Sequence, residues 1–130
     1  MKLIILKKFR INPNFQKTAN GKPYIKCVKN FHFSISHSNN LIIFAIDSQE
    51  IGVDAEKIIP LQTEPVDFFS QTQLDVFNHL SKSNKLIYFY QLWSLKESFI
   101  KLLIDKINLN LIDSYTFLYK DYVISVVYRH

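Results

Sequence analysis

Three carboxylates occupy positions in the sequence that favour cation binding. In the segment Ile51–Glu56 the acids alternate with apolar residues, so Asp54 and Glu56 share one face of a predicted strand. Glu97 continues the apolar stripe of a predicted long helix, whose other members are Leu86, Phe89, Tyr90, Trp93, Ile100, Leu103 and Ile104. A carboxylate in such a stripe is costly unless it is paired or bound to a cation. A three-carboxylate site of this kind suits Mg²⁺, which keeps coordination positions for water and substrate phosphates.

Each of these charges also has a plainer interpretation. Asp54 and Glu56 would be ordinary if their face of the strand were solvated. Glu97 could form a salt bridge with Lys101, one helical turn further on. Lys96 and Lys101 could supply positive charge near bound phosphates, or could line a solvated helix face.

The elements that must position these residues follow the order strands, helices, strands. Ser70 is expected to cap a helix over about Gln71–Leu80, and Ser83 or Asn84 a longer helix that runs to about Ile104. Leu41–Asp47 is expected to be buried on both faces. This order predicts an α+β fold in which an antiparallel sheet packs against a long helix. Tight turns are expected at Asn39-Asn40 and Lys120-Asp121. The predicted strands are Lys2–Ile11, Tyr24–Val28, Phe31–His37, Leu41–Asp47, Ile51–Glu56, Tyr115–Tyr119 and Tyr122–Tyr128.

Length and composition restrict the class of protein. A chain of 130 residues with 48% hydrophobic residues predicts one domain over 1–130. Two glycines cannot build a P-loop or a dinucleotide fingerprint. The net charge of +5 favours negatively charged partners, but its lysines are scattered, so neither nucleic acid nor a membrane is the expected partner. No apolar run approaches the roughly 20 residues of a membrane span, and we expect a cytoplasmic protein.

His37 lies between two serines, just after an apolar strand pattern. Such a histidine is more often a rim residue than a catalyst. No nucleophile elbow surrounds the neighbouring serines, so a Ser-His-Asp hydrolase is rejected.

Four short motifs follow one another along the chain: Gly21–Pro23, Phe33–Ser38, Ile51–Glu56 and Trp93–Lys101. Their order resembles that of the motifs of the 4′-phosphopantetheinyl transferase superfamily, and in particular of its surfactin-synthetase-activating type. The resemblance covers about residues 20–118.

The resemblance implies transfer of the phosphopantetheine arm of coenzyme A to a serine of an acidic acyl or peptidyl carrier protein. Asp54, Glu56 and Glu97 would hold Mg²⁺ against the diphosphate, and Glu97 would also help to deprotonate the carrier serine. Lys101 would neutralise diphosphate charge during the reaction. The residues implied to contact coenzyme A are Lys22, Pro23, Ser36, His37, Lys96 and Lys101.

Members of this type have two similar lobes, so the resemblance implies one lobe and part of the other here, shortened at both ends. Apolar surface meant for the other lobe is then expected to be covered by a second copy of the chain. We expect a homo-oligomer, most simply a dimer, with its interface near Leu41–Asp47 or Lys2–Ile11. The alternative function is an inactive relative that binds coenzyme A or a carrier protein. An unrelated Mg²⁺ phosphohydrolase is a more distant alternative.

Overall fold

The computed structural model describes residues 2–7, 16–17, 23–24, 31–102 and 111–130. Lys22, the ends of the first and second predicted strands, and the predicted end of the long helix lie outside these residues. Among the described residues, the structure has no helix that is both long and apolar enough to cross a membrane.

Antiparallel strands and one long helix form the described part of the chain, which confirms the predicted α+β class. The strands are β1 (Lys2–Lys7), β2 (Gln16–Lys17), β3 (Pro23–Tyr24), β4 (His32–Ser38), β5 (Leu41–Asp47), β6 (Ile51–Lys57), β7 (Ile112–Tyr119) and β8 (Tyr122–Arg129). Two three-stranded sheets have the strand orders β1-β5-β4 and β6-β8-β7, and β2 pairs with β3.

Two tight turns close the hairpins that the sequence predicts. Asn39 and Asn40 join β4 to β5, and Lys120 and Asp121 join β7 to β8. Asn39 and Lys120 have φ angles of 49° and 52°. Asparagine adopts this left-handed region more readily than most residues, and primed hairpin turns require it.

One edge strand of each larger sheet takes part in the contact between the sheets. Serine side chains join these two strands, β4 and β6. The backbone N–H groups of Val53, Ala55 and Lys57 donate to the hydroxyl oxygens of Ser34, Ser36 and Ser38, respectively, over 3.0–3.1 Å. These amides alternate along β6, and β8 pairs with the other side of that strand. Side-chain hydroxyls therefore satisfy the N–H groups of an edge that would otherwise be unpaired.

The core lies on one face of β5, β6 and β8. Its buried residues are Leu41, Ile43, Ala45, Ile51, Val53, Ala55, Tyr122, Ile124 and Val126. The expectation that β5 is buried on both faces is wrong in part. Residues 41, 43 and 45 are fully buried, while residues 42, 44 and 46 on the other face are only half-buried.

Ser70 caps α1 (Gln71–Asn78) as predicted, in a capping box with Gln73. The second helix, α2 (Lys82–Leu102), starts before the predicted cap. Ser81 precedes it, and the Ser81 hydroxyl accepts the backbone N–H of Asn84. The prediction of Ser83 or Asn84 as the cap is therefore wrong, because the capping hydroxyl oxygen is supplied by Ser81, two residues before Ser83.

Helix α2 packs on β6 and β8 through serines and one glycine. A Cβ at Gly52 would overlap the carbonyl oxygen of Ser98, and would lie 3.0 Å from the Leu102 nitrogen. The Ser98 hydroxyl donates to the carbonyls of Ser94 and Ser125. Small side chains with internal partners thus let the helix approach the sheet closely.

The predicted apolar stripe of α2 needs one correction. Ile100, which the stripe assigns to the core, is 52% exposed, whereas Ser94 and Ser98 are fully buried. Hydropathy fails here because both serine hydroxyls have hydrogen-bond partners in the interior.

Candidate functional site

The two carboxylates of β6 face helix α2 rather than solvent. Asp54 pairs in register with Ser125, a buried residue that contacts α2 through Ser94. Only 4% of Asp54 is exposed, and Glu56 is half-buried. The solvated-face interpretation of this pair is therefore wrong.

Lys101 forms an ion pair with Asp54. Its ammonium lies 3.0 Å from Asp54 Oδ1 and donates to the Val53 carbonyl at 2.9 Å. The alternative salt bridge between Glu97 and Lys101 is not formed, because Lys101 reaches across to β6. Asp54 Oδ1 also accepts the Ser36 hydroxyl at 3.1 Å. The other oxygen, Asp54 Oδ2, is buried and has no hydrogen-bond partner in the structure.

Glu56 lies beside the only tryptophan of the chain. The Trp93 indole N–H donates to Glu56 Oε1 over 3.2 Å. Burial, and next the negative charge of Asp54, raise the pKa of Glu56 to about 7. The site is therefore short of positive charge even with Lys101 present.

Glu97 lies between these two contacts on the same face of α2. It follows Trp93 by four residues and precedes Lys101 by four, so successive helical turns bring all three towards β6. Glu97 is half-buried and has no hydrogen bond or ion pair with the residues that the structure describes. Across those same residues, no three His, Cys, Asp or Glu side chains are grouped closely enough to hold a metal ion. The three-carboxylate site stays a prediction, and it requires the side chain of Glu97 to turn towards β6.

The stability of the protein should depend on the proton of Glu56. Because the pKa is about 7 in the folded protein and 4.5 ordinarily, the folded state binds this proton more tightly than the unfolded chain does. The contribution to stability is complete below about pH 4.5 and is lost as the pH rises through 7. We expect Glu56→Gln to raise the melting temperature at pH 8 and to flatten its decline between pH 5 and 8.

Thermal unfolding followed by circular dichroism, without added divalent cations, measures this effect. The exposed Asp67, whose side chain has no described contact, provides the control variant Asp67→Asn. Equal pH profiles for Glu56→Gln and the unmodified protein would contradict the elevated pKa.

The residues predicted to contact the nucleotide end of coenzyme A are only partly gathered near these carboxylates. The Ser36 hydroxyl is used internally, by Asp54 and the Ala55 N–H. His37, the next residue of β4, is exposed. Pro23 begins β3, and Lys22 is outside the described residues. Lys96 is exposed, and its ammonium lies 5.4 Å from the centre of the Phe68 ring.

Sequence reasoning missed two participants in the site. Trp93 was predicted only as an apolar core residue, and the Val53 carbonyl was not considered. The spacing of residues 93, 97 and 101 was the available signal, because side chains four residues apart line one helix face.

A groove of about 760 Å³ lies elsewhere, between the segment after β6 and the start of α2. Pro60, Leu61, Phe77 and Leu86 contribute apolar surface, and Lys85 contributes a charge. None of the predicted site residues lines it. The carboxylate site therefore lies at the contact between β6 and α2, away from this groove.

Comparison with known proteins finds a family match over this part of the chain. The profile of the 4′-phosphopantetheinyl transferase superfamily matches residues 50–125, which contain β6, α1, α2, β7 and the first half of β8. The chain is 46% identical over 88 residues to the 4′-phosphopantetheinyl transferase Sfp of Bacillus subtilis strain 168, a match that covers 67% of this chain and 39% of that protein. It is 40% identical over 102 residues to the 4′-phosphopantetheinyl transferase ffp of Bacillus subtilis, which covers 75% and 46%, respectively.

Because the family profile matches more than half of the chain, this protein belongs to the 4′-phosphopantetheinyl transferase superfamily. Its similarity is to the Sfp type within that superfamily. The chain spans less than half the length of these relatives.

Proposed function

We propose that this chain transfers the 4′-phosphopantetheine group of coenzyme A to a serine of an acyl or peptidyl carrier protein, with Mg²⁺. The observation that carries the proposal is the contact between Asp54 and Glu56 on β6 and the residues Trp93 and Lys101 on α2, within the region that matches the family. A cytoplasmic location remains part of the proposal.

The residues present fit a divalent cation. Asp54 Oδ2 is buried and has no hydrogen-bond partner among the described residues, and burial together with the nearby charge of Asp54 raises the pKa of Glu56. Positive charge placed between the two carboxylates would relieve both conditions. Asp54 and Glu56 would hold Mg²⁺, and Glu97 would complete the set from α2. When bound, the ion would polarise the diphosphate and offset the charge that develops on the leaving group.

Glu97 and Lys101 would act on the reacting groups. The carrier serine hydroxyl would lose its proton to the Glu97 carboxylate, which has no described partner that would hold it elsewhere. The serine oxygen would attack the phosphorus attached to the pantetheine arm. The phosphoanhydride bond would break, and adenosine 3′,5′-bisphosphate would leave. Lys101 would stabilise charge on the diphosphate, as an ammonium does at phosphoryl-transfer sites.

Mass spectrometry of a carrier protein tests the proposal. The purified chain, coenzyme A, Mg²⁺ and an apo carrier protein are incubated, and the carrier mass is measured. We expect the mass to rise by one phosphopantetheine group, and expect no rise in EDTA or with a carrier whose acceptor serine is alanine. An unchanged mass under all conditions would refute transfer.

The second candidate is an inactive relative that binds coenzyme A or a carrier protein. The observation that favours it is the ion pair of Asp54 with Lys101, which already neutralises one of the predicted cation ligands. Binding of coenzyme A by calorimetry, together with no mass increase on any carrier, would support this alternative.

His37 is proposed to contact the 3′-phosphate of coenzyme A. Its ring is exposed on β4, one residue from the Ser36–Asp54 contact. A charge-assisted contact disappears when the phosphate is absent, so the losses from mutation and from ligand truncation should not add. We expect His37→Ala to weaken binding of coenzyme A by about 10-fold, in line with a bond of ~1.5 kcal/mol, and to leave 3′-dephospho-coenzyme A unaffected. Calorimetry with both ligands measures this, and equal weakening of the two would assign His37 a packing role.

We also propose that the chain assembles with a second copy. Both backbone edges of β5 are occupied, by β1 and β4. Within the described part of the chain β1 pairs on one side only, so β1 is the better of the two predicted interfaces. Light scattering at micromolar concentration should give at least twice the monomer mass of 15.4 kDa. A monomer across the concentration range would refute the assembly.

A further inference from the structure

We infer that Ser36 positions the Asp54 carboxylate, so that one carboxylate oxygen stays fixed by the protein and the other is free for a cation. The inference rests on the proposed function, because it assigns a role within the same site. It concerns a contact that joins the two sheets of the fold, at the seam between β4 and β6.

Three serines of this seam make the same backbone contact. Ser34, Ser36 and Ser38 each accept one N–H from β6, at 3.1, 3.0 and 3.0 Å. Among the residues that the structure describes, Ser36 alone of the three makes a further contact: its hydroxyl donates to Asp54 Oδ1 at 3.1 Å. A serine hydroxyl has one proton, so the proton of Ser36 is committed to the carboxylate.

The contact holds Asp54 from β4, whereas Lys101 holds it from helix α2. Lys101 reaches Oδ1 from the helix, and Ser36 reaches the same oxygen from β4. Ser36 is itself 5% exposed, and its oxygen is fixed by the Ala55 N–H, so its position is set by two strands. With two donors on Oδ1, the unpartnered Oδ2 is the oxygen that remains to bind a cation. Fixing one atom of a ligand carboxylate in this way reduces the ordering that binding must accomplish.

This role differs from the nucleotide contact that the sequence predicts for Ser36. A hydroxyl whose proton and one lone pair are used internally has little capacity left for a phosphate. The adjacent His37, which is exposed, is the residue of this motif that can reach outwards.

The two neighbouring serines provide the control. Ser36→Ala removes the hydrogen bond to the Ala55 N–H and the one to Asp54, whereas Ser34→Ala removes only the equivalent bond to Val53. Ser34 is 2% exposed, so both variants remove a hydroxyl from a comparable buried position. Ser36→Thr keeps the hydroxyl and suits a strand, and should restore the contact.

Mg²⁺ is titrated into each variant in the presence of coenzyme A, and binding is followed by calorimetry and by the fluorescence of Trp93, which contacts Glu56. We expect Ser36→Ala to weaken Mg²⁺ binding by about 10-fold, the lower range for removing a group that orients a metal ligand. Ser34→Ala and Ser36→Thr should stay within about 2-fold of the unmodified protein, which is the size of effect expected when ligand orientation is kept.

Equal Mg²⁺ affinities for Ser36→Ala and Ser34→Ala would overturn the positioning role and leave a purely structural serine. If Ser36→Ala does not fold, the same comparison is made with Ser36→Cys and Ser34→Cys, because cysteine keeps most of the volume with a weaker donor. No response of the unmodified protein to Mg²⁺ would overturn the cation site and the positioning role together. Normal binding with no transfer to a carrier would refute the proposed activity and leave the role of Ser36 intact.

Discussion

Asp54→Asn should reduce phosphopantetheine transfer by at least about 100-fold, because it removes a predicted cation ligand, whereas Ser36→Ala removes only a group that orients this ligand. Asparagine keeps the shape of the side chain, so the Ser36 contact can persist. The Lys101 ammonium, however, loses its carboxylate partner. The rate of carrier modification, measured by mass spectrometry at saturating coenzyme A, checks this expectation.

The control for Asp54→Asn is Asp67→Asn, which makes the same chemical change at an exposed site. Asp67→Asn should transfer at the rate of the unmodified protein. Raising Mg²⁺ should recover part of the activity of Asp54→Asn if the defect lies in cation affinity. Equal rates for the two variants would contradict any role of Asp54 in the reaction.

Gly52→Ala should destabilise the fold by about 3 kcal/mol, at the upper end of the usual cost of overpacking. The added Cβ would meet the backbone of Ser98 and Leu102, which cannot move aside as a flexible side chain can. Helix α2 must then shift away from β6, and Trp93 and Lys101 shift with it. Urea denaturation measures the loss of stability, and weaker Mg²⁺ binding by the folded fraction measures the effect on the site.

Gln49→Ala is the control for Gly52→Ala, since Gln49 is exposed three residues earlier in the chain. It should change stability by less than about 0.5 kcal/mol, as expected for a surface substitution. A Gly52→Ala variant with the stability and Mg²⁺ affinity of Gln49→Ala would show that α2 does not need its close approach to β6.

The hairpins and the capping box of α1 could be predicted from the sequence because their signals are local. Asn39-Asn40 and Lys120-Asp121 mark turns between alternating strands, and Ser70 with Gln73 marks a helix start. The packing of α2 on β6 could also be anticipated, since Glu97 in an apolar stripe is costly without a partner or cation, and the predicted cation site placed it opposite Asp54 and Glu56.

The buried serines could not be predicted by the same reasoning. Ser94 and Ser98 appear polar in sequence, yet both are fully buried. The Ser94 hydroxyl bonds to the Gln91 carbonyl and the Ser125 hydroxyl, and the Ser98 hydroxyl donates to the Ser94 and Ser125 carbonyls. Ser34 and Ser36 are buried because they satisfy amides of a strand about 19 residues further on. Such partners depend on tertiary contacts, and hydropathy patterns do not record them.

Mg²⁺ titration of Glu97→Gln tests most directly whether α2 contributes a carboxylate to a cation site on β6. Calorimetry in the presence of coenzyme A compares the unmodified protein, Glu97→Gln and Asp67→Asn. We predict that Glu97→Gln weakens Mg²⁺ binding by at least about 10-fold, while Asp67→Asn binds as the unmodified protein does. Identical binding isotherms for Glu97→Gln and Asp67→Asn would contradict the claim.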